Sequence, residues 1–437
     1  MTQIQAARPF PATPWTCPFC PLACDHLGVD VGLPASHGTP MLQGGQCERA
    51  SRALAQFATP MVLPSAEVDG LPCSLDTAVA AAARLLFDSR QPLFGGLGTD
   101  VAGARALYTL SCATGAICDS SGGEALMTGL RALQDRGQFT TTLAEVRTRA
   151  DVIVFIGGIP ADLAPLIGQR CGIGDAQVPQ RHVVVLGPGP GDDSLLAEWA
   201  GLAGASVESL PLEGDLFDTL ALLCTLVSPR RVPAAPEPLR ALAQRLASAR
   251  YGVLVGATTR LPPQGAMIVE AVHRIVGSLN RTTRAAALWV GGGNGAATAN
   301  QVFTWLSGLP LRSRATPAGL EHEPLLFDTA RLLADRAVDA LLWVSSFDAG
   351  AVAPSNHLPM VVLGHPSLAA ASRRAGLATV FIPVATPGIG SGGHVFRTDG
   401  TVLMPLHAAR PDALPTVASA AARIAAALRT HGAEVAP

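Results

Sequence analysis

The chain has 437 residues, of which 49% are hydrophobic, 15% charged and 5% aromatic, with a net charge of −2. All 31 basic residues are arginine, which excludes a lysine-dependent Walker phosphate loop and Schiff-base chemistry, and the lack of a basic tract gives nucleic acid nothing to hold. Apolar runs of about five to nine residues are too short to span a bilayer, so no membrane segment is expected.

At roughly 150 residues per domain, the length predicts two or three domains. So much apolar and so little charged side chain predicts an exterior covered in part by partners, which marks the chain as a subunit.

Nothing resembling a secretory signal precedes Trp15, which predicts a reducing, cytoplasmic setting where thiols stay free. There follows the run Cys17-Pro18-Phe19-Cys20-Pro21-Leu22-Ala23-Cys24, with a fourth cysteine at Cys47. Four thiolates spaced C-x2-C-x3-C-x22-C form a complete ligand set for a soft metal, and the unequal spacing favours a [4Fe-4S] cluster. Zinc is the alternative, although structural zinc sites more often show two separated C-x2-C knuckles; an empty site is a third reading. Pro18 and Pro21 stiffen the loop, and Cys47 must fold back to close the shell. Cys73, Cys112, Cys118, Cys171 and Cys224 have no partner at ligand spacing and are expected as small buried hydrophobes.

Past this module, Leu75 to Phe87 has helical periodicity. The apolar segments Val152 to Ile156, His182 to Leu186, Tyr251 to Val255, Ala287 to Val290, Ala340 to Val344, Met360 to Leu363 and Thr379 to Val384 predict buried parallel strands. Between them, Leu216 to Leu226, Leu239 to Ala249, Ala266 to Leu279 and Pro324 to Asp335 predict helices, and Thr416 to Thr430 predicts a C-terminal one. Alternation on this scale is the pattern of a doubly wound α/β fold.

Glycine turns at Gly157-Gly158, Gly187 to Gly191 and Gly291 to Gly295 follow strands, yet none has the complete dinucleotide fingerprint. Glu321-His322-Glu323 is read as a solvated loop, and Asp192-Asp193 as turn chemistry. No nucleophile elbow or zinc-protease motif is present. No catalytic or cofactor-binding constellation emerges beyond the cysteines.

The cysteine spacing followed by an α/β chain resembles the molybdenum/tungsten bis-pterin oxidoreductase superfamily. The segments Ser278 to Arg284, Asn294 to Pro310 and Gly388 to Gly400 sharpen this to a resemblance to the B subunit of formylmethanofuran dehydrogenase, over nearly the whole chain. The resemblance implies an N-terminal four-cysteine module over residues 1–60 and two doubly wound, Rossmann-like parallel-sheet domains. One is discontinuous, over residues 61–125 and 320–437, the other spans 126–319, and no C-terminal β-barrel follows.

In the dehydrogenases a metal-ligating cysteine comes shortly after an Asp that ends a strand-like segment. In the run Ala116 to Met127, the position is occupied by Ala125, and only a register shift would let Cys118 substitute. Arg49 stands where superfamily members often carry a lysine between cluster and pterin. The resemblance is therefore closest to the B subunit of the bacterial formyltransferase/hydrolase complex of methylotrophs. It implies a scaffold without molybdopterin, molybdenum or tungsten, whose partners are the hydrolase A and C subunits and the formyltransferase D subunit. These move a formyl group from formyl-tetrahydromethanopterin to a methanofuran-like coenzyme and release formate. The alternatives are an active molybdenum or tungsten dehydrogenase subunit with an unusual ligand, and an electron-transfer iron–sulfur protein.

Overall fold

The computed structural model describes residues 15–31, 40–57, 64–228, 230 and 234–435. It divides into two units, one of residues 1–123, 293–397 and 403–437, the other of 124–292 and 398–402. Each is α/β, and no closed barrel occurs among the described residues. The return to the first unit falls at residue 293, ahead of the expected 320, because the helix Ala296–Ser307 and the strand Ser313–Thr316 belong with the large sheet.

The second unit holds a five-stranded parallel sheet. Its spatial order is Ala285–Trp289, Gly252–Gly256, Val152–Ile156, Arg181–Leu186, Ala205–Leu210. Numbered along the chain this is 5-4-1-2-3, a doubly wound Rossmann-like order whose direction reverses beside Val152–Ile156. Four of the strands are the apolar runs expected. One face is covered by the helices Leu216–Leu226, Glu237–Ser248 and Gly265–Leu279, so Val154, Val184, Leu254, Leu220 and Val272 pack in one core. On the other face Phe155 stacks on Trp199 of the helix Asp192–Ala200. At the strand ends Gly157 and Gly158 take φ of 70° and 95°. The Asp192 carboxylate, on the first turn of the helix Asp192–Ala200, accepts from the backbone N–H groups of Gly189 and Ile159 at 2.8 and 3.1 Å. It ties two glycine turns together, a larger role than local turn chemistry.

In the first unit a nine-stranded mixed sheet has a parallel centre: Ile117–Cys118, Pro92–Gly98, Ala340–Ser345, Met360–Gly364 and Thr379–Pro383. Antiparallel pairs flank it. Ser313–Thr316 and Gly319–His322 lie on one side, Ala66–Val68 and Leu71–Cys73 on the other. Glu321 and His322 are therefore strand residues and not a loop. Their paired strand leads into a short helix, Thr329–Ala334, which starts late because the Asp328 carboxylate caps it by accepting from the Arg331 N–H.

The strand Pro92–Gly98 is central, fully buried and rich in glycine. The reason is the Trp343 indole on the next strand. A Cβ on Gly95 would stand 2.9 Å from its ring, and one on Gly96, at φ 74°, would stand 2.6 Å from the Val344 carbonyl oxygen.

Candidate metal centre

Cys17, Cys20, Cys24 and Cys47 are all buried. The first three share one tight loop. The Cys17 N–H donates to the Cys24 carbonyl at 2.9 Å and the Ala23 N–H to the Cys20 carbonyl at 3.2 Å, with Ala23 in the left-handed region at φ 41°. Cys47 caps the N-terminus of the helix Glu48–Ala55, its carbonyl accepting from the Ser51 N–H at 2.9 Å.

The thiols share one electrostatic neighbourhood. A hydrogen bond with Cys24 is the main reason that the Cys20 thiol is brought down to about 7. Burial pushes the Cys17 thiol up, and the neighbouring Cys20 and, less strongly, Cys47 add to this. Among the described residues no three His, Cys, Asp or Glu side chains stand close enough to hold a single metal ion. Tetrahedral zinc at bond lengths of about 2.3 Å would need such a tight group. A [4Fe-4S] cluster instead takes one thiolate at each of four irons, so it does not require the four sulfurs around a single ion.

The loop is held by neighbours that the spacing of the cysteines does not reveal. The Trp15 indole N–H donates to the Gly388 carbonyl at 2.8 Å. Pro18 and Pro21 lie over Gly388 and Gly293, where a Cβ would come within 3.2 and 3.3 Å of the proline rings. Arg49 donates from Nε to the Phe19 carbonyl at 2.8 Å. Beside the loop, at the carboxyl ends of Ala340–Ser345 and Met360–Gly364, is a cavity of about 420 Å³ lined by Phe19, Arg49, Phe57, Phe347, Asp348 and His365, among others. His365 is buried and stacks edge-on against Phe57 with ring centres 4.8 Å apart. Its Nδ1 accepts from the Ser367 N–H at 3.1 Å. Burial, only partly offset by Asp348, lowers its pKa to about 4, which keeps it neutral.

Ala125 lies on the first turn of the helix Gly123–Arg136 and is partly buried. A methyl group offers no ligand atom. The strand end before it is locked by a polar network. The Asp119 carboxylate receives the Ser120 N–H at 3.0 Å, the Thr329 N–H and hydroxyl at 3.0 and 2.9 Å, and Arg312 at 3.4 Å. The Arg312 guanidinium also reaches Asp328 at 2.5 Å. Burial lifts the Asp119 carboxyl above the ordinary range against the pull of Arg312. Gly123 is required here, because a Cβ would lie 2.2 Å from Asp119 Oδ1. Cys118 sits inside the strand Ile117–Cys118, its thiol pushed up to about 12, first by burial. Of the five isolated cysteines only Cys118 and Cys171 are buried; Cys73 and Cys224 are half-buried and Cys112 is exposed. Cys73 ends the edge strand Leu71–Cys73, Cys112 is on an exposed position of the helix Val101–Thr114 and Cys224 packs only partly against the core, so the expectation of full burial fails for these three.

No protein-family model matches the chain. Among curated relatives, the chain is 31% identical over 367 residues to the B subunit of the formyltransferase/hydrolase complex Fhc of Methylorubrum extorquens, covering 84% of this chain and 97% of the relative. It is 24% identical over 409 residues to the B subunit of the tungsten-containing formylmethanofuran dehydrogenase 2 of Methanocaldococcus jannaschii, covering 88% of this chain and 90% of the relative. Among solved structures it is similar to one chain of the crystal structure of the formyltransferase/hydrolase complex FhcABCD from Methylorubrum extorquens in complex with methylofuran. The TM-score is 0.69 at 28% identity, over 84% of this chain and 100% of that one. With more than 30% identity along almost the whole relative, joined to a shared α/β fold, the chain belongs to the family of B subunits of the formyltransferase/hydrolase complex, itself related to the B subunits of formylmethanofuran dehydrogenase.

Proposed function

We propose that the chain is a non-catalytic scaffold subunit of a cytoplasmic formyltransferase/hydrolase complex. The complex transfers a formyl group from formyl-tetrahydromethanopterin to a methanofuran-like coenzyme and hydrolyses it to formate. The observation that carries this reading is the 31% identity over 97% of a relative named as the B subunit of that complex. Its partners are then the hydrolase A and C subunits and the formyltransferase D subunit. The methyl group of Ala125, where the dehydrogenases place a metal-ligating thiolate, supports a chain that binds no molybdenum, tungsten or molybdopterin.

Cys17, Cys20, Cys24 and Cys47 would hold a [4Fe-4S] cluster, a group that carries single electrons when bound. In a scaffold, what these residues themselves do is staple the N-terminal loop to the helix Glu48–Ala55.

The test is co-expression with the A, C and D subunits. The chain should purify with them in fixed ratio, and its omission should abolish assembly. Formyl transfer and formate release should require the assembled complex, which metal analysis should show to be free of molybdenum and tungsten. Stoichiometric pterin, with oxidation of a formamide by an added electron acceptor, would instead establish an active dehydrogenase subunit.

A further inference from the structure

The Cys17 to Cys24 loop is gripped on several sides, and most of these contacts tie it to the body of the first unit: Trp15 to Gly388, Pro18 to Gly388 and Pro21 to Gly293. Arg49 does something different. It is the second residue of the helix Glu48–Ala55, two positions after Cys47, and its Nε donates to the Phe19 carbonyl at 2.8 Å. Phe19 lies between Cys17 and Cys20. This one hydrogen bond therefore joins the segment that carries the fourth cysteine to the segment that carries the first three.

The energetic reason for such a clamp lies in the loop. Ala23 is held at φ 41°, a left-handed conformation that costs a residue with a Cβ about 1–2 kcal/mol. Left to itself the loop would relax and separate the thiols. A hydrogen bond from a charged donor to a part-buried carbonyl is among the stronger ones. Arg49 also lines the cavity beside the loop, and its fixed positive charge acts on Cys17 and Cys20, groups that become negative on binding metal.

We propose that Arg49 is the positioning residue of the four-cysteine site: through the Phe19 carbonyl it holds the Cys17 to Cys24 loop against the Cys47 helix, so that the four thiols stay in one neighbourhood in the metal-free chain. The proposal rests on reading the four cysteines as one site, and its first readout is taken without metal so that the two ideas can fail separately.

The test uses the full-length chain, metal-free and reduced under anaerobic conditions, with iodoacetamide labelling of Cys17, Cys20 and Cys24 followed over time by mass spectrometry. In Arg49→Met these thiols should label about tenfold faster than in the wild type, the factor expected for loss of one charge-assisted hydrogen bond. Arg49→Lys, which restores a charged donor, should return the rate to within about threefold. Arg52→Met, three residues further along the same helix, removes a guanidinium whose carboxylate partner is the exposed Glu48 and should leave labelling unchanged. After reconstitution with iron and sulfide, Arg49→Met should retain less metal than the wild type.

Wild-type thiols that label at the rate of an unstructured peptide would overturn the proposal. So would Arg49→Met labelling like the wild type, or Arg52→Met accelerating labelling as much as Arg49→Met. If labelling behaves as expected but neither iron nor zinc binds, the clamp stands and the metal reading falls. Thermal unfolding of each variant shows whether an effect is local or comes from a chain that no longer folds.

Discussion

Gly96 and Arg312 show how much individual residues carry in this fold. Gly96 combines a left-handed backbone with a Cβ direction blocked at 2.6 Å by the Val344 carbonyl. Gly96→Ala should therefore cost about 2 kcal/mol or more, summing backbone strain and overpacking, and would appear as a lowered urea midpoint. Arg312 is 1% exposed and answers both Asp119 and Asp328. Arg312→Met would leave Asp119 buried without its cation, and the expected loss is about 3–5 kcal/mol, measurable on the same denaturation curve. Neither role was legible in the sequence. Gly96 reads as a loop glycine until Trp343 is placed beside its strand, and Arg312 lies almost two hundred positions from Asp119. What could be read locally was the four-cysteine loop, because a ligand set announces itself by residue type and spacing. Its supports act through backbone carbonyls, which leave no mark in the sequence: nothing singled out Trp15 or Phe19, and Arg49 stood out only as the replacement of a lysine, not as a donor to the loop.

Among the secondary-structure elements, the seven apolar runs became strands because both of their faces are covered, which makes hydrophobicity continuous and conspicuous. Pro92–Gly98 was hidden by its glycines, and Ala205–Leu210 by being an edge strand with only one residue fully buried. His273, on the helix Gly265–Leu279, supports another edge. Its Nδ1 faces the Phe139 N–H at 3.3 Å and its Nε2 the Trp289 indole N–H at 3.1 Å. It thus braces the strand Ala285–Trp289 and the segment that pairs beside it at Thr140.

Both of these ring nitrogens meet donors, so a protonated ring is unwelcome there, and burial lowers the His273 pKa to about 4. His365 is lowered equally, also by burial first. In the unfolded chain each histidine would take up its proton near 6.5. The stability they lend is present above that value and is lost as the pH falls from about 6.5 to about 4. It amounts to about 3 kcal/mol for each group at most. Melting temperatures across this window should drop, and His273→Phe should flatten part of the slope.

On the scale of the whole molecule, the family places the chain in an assembly, and the apolar, weakly charged composition agrees with it. Cys17→Ser combined with Cys47→Ser should abolish metal uptake while leaving co-purification with the partner subunits and formyl transfer intact. Pull-down yield and formate release measure this directly. Loss of assembly in that variant would make the cysteine module part of the subunit interface.

The two-unit division was partly legible, since the alternation of strand and helix signals α/β architecture. The return at residue 293 was not, because the helix Ala296–Ser307 and the strand Ser313–Thr316 reveal their allegiance only through partners distant in the chain.

That interleaving has a bearing on synthesis. Pro92–Gly98 needs Ala340–Ser345 as its neighbour, and about 250 residues separate them. At roughly 5–20 residues per second the ribosome takes on the order of 10–50 s to make that stretch. Meanwhile residues 124–292 emerge as one continuous segment that already contains all five strands of the smaller sheet. The second unit can thus condense while the first waits with its central strand open on the side that Ala340–Ser345 will fill. The nascent chain should accordingly pass through a long interval as a chaperone client, and pulsed proteolysis of stalled chains should find the later-starting unit protected first.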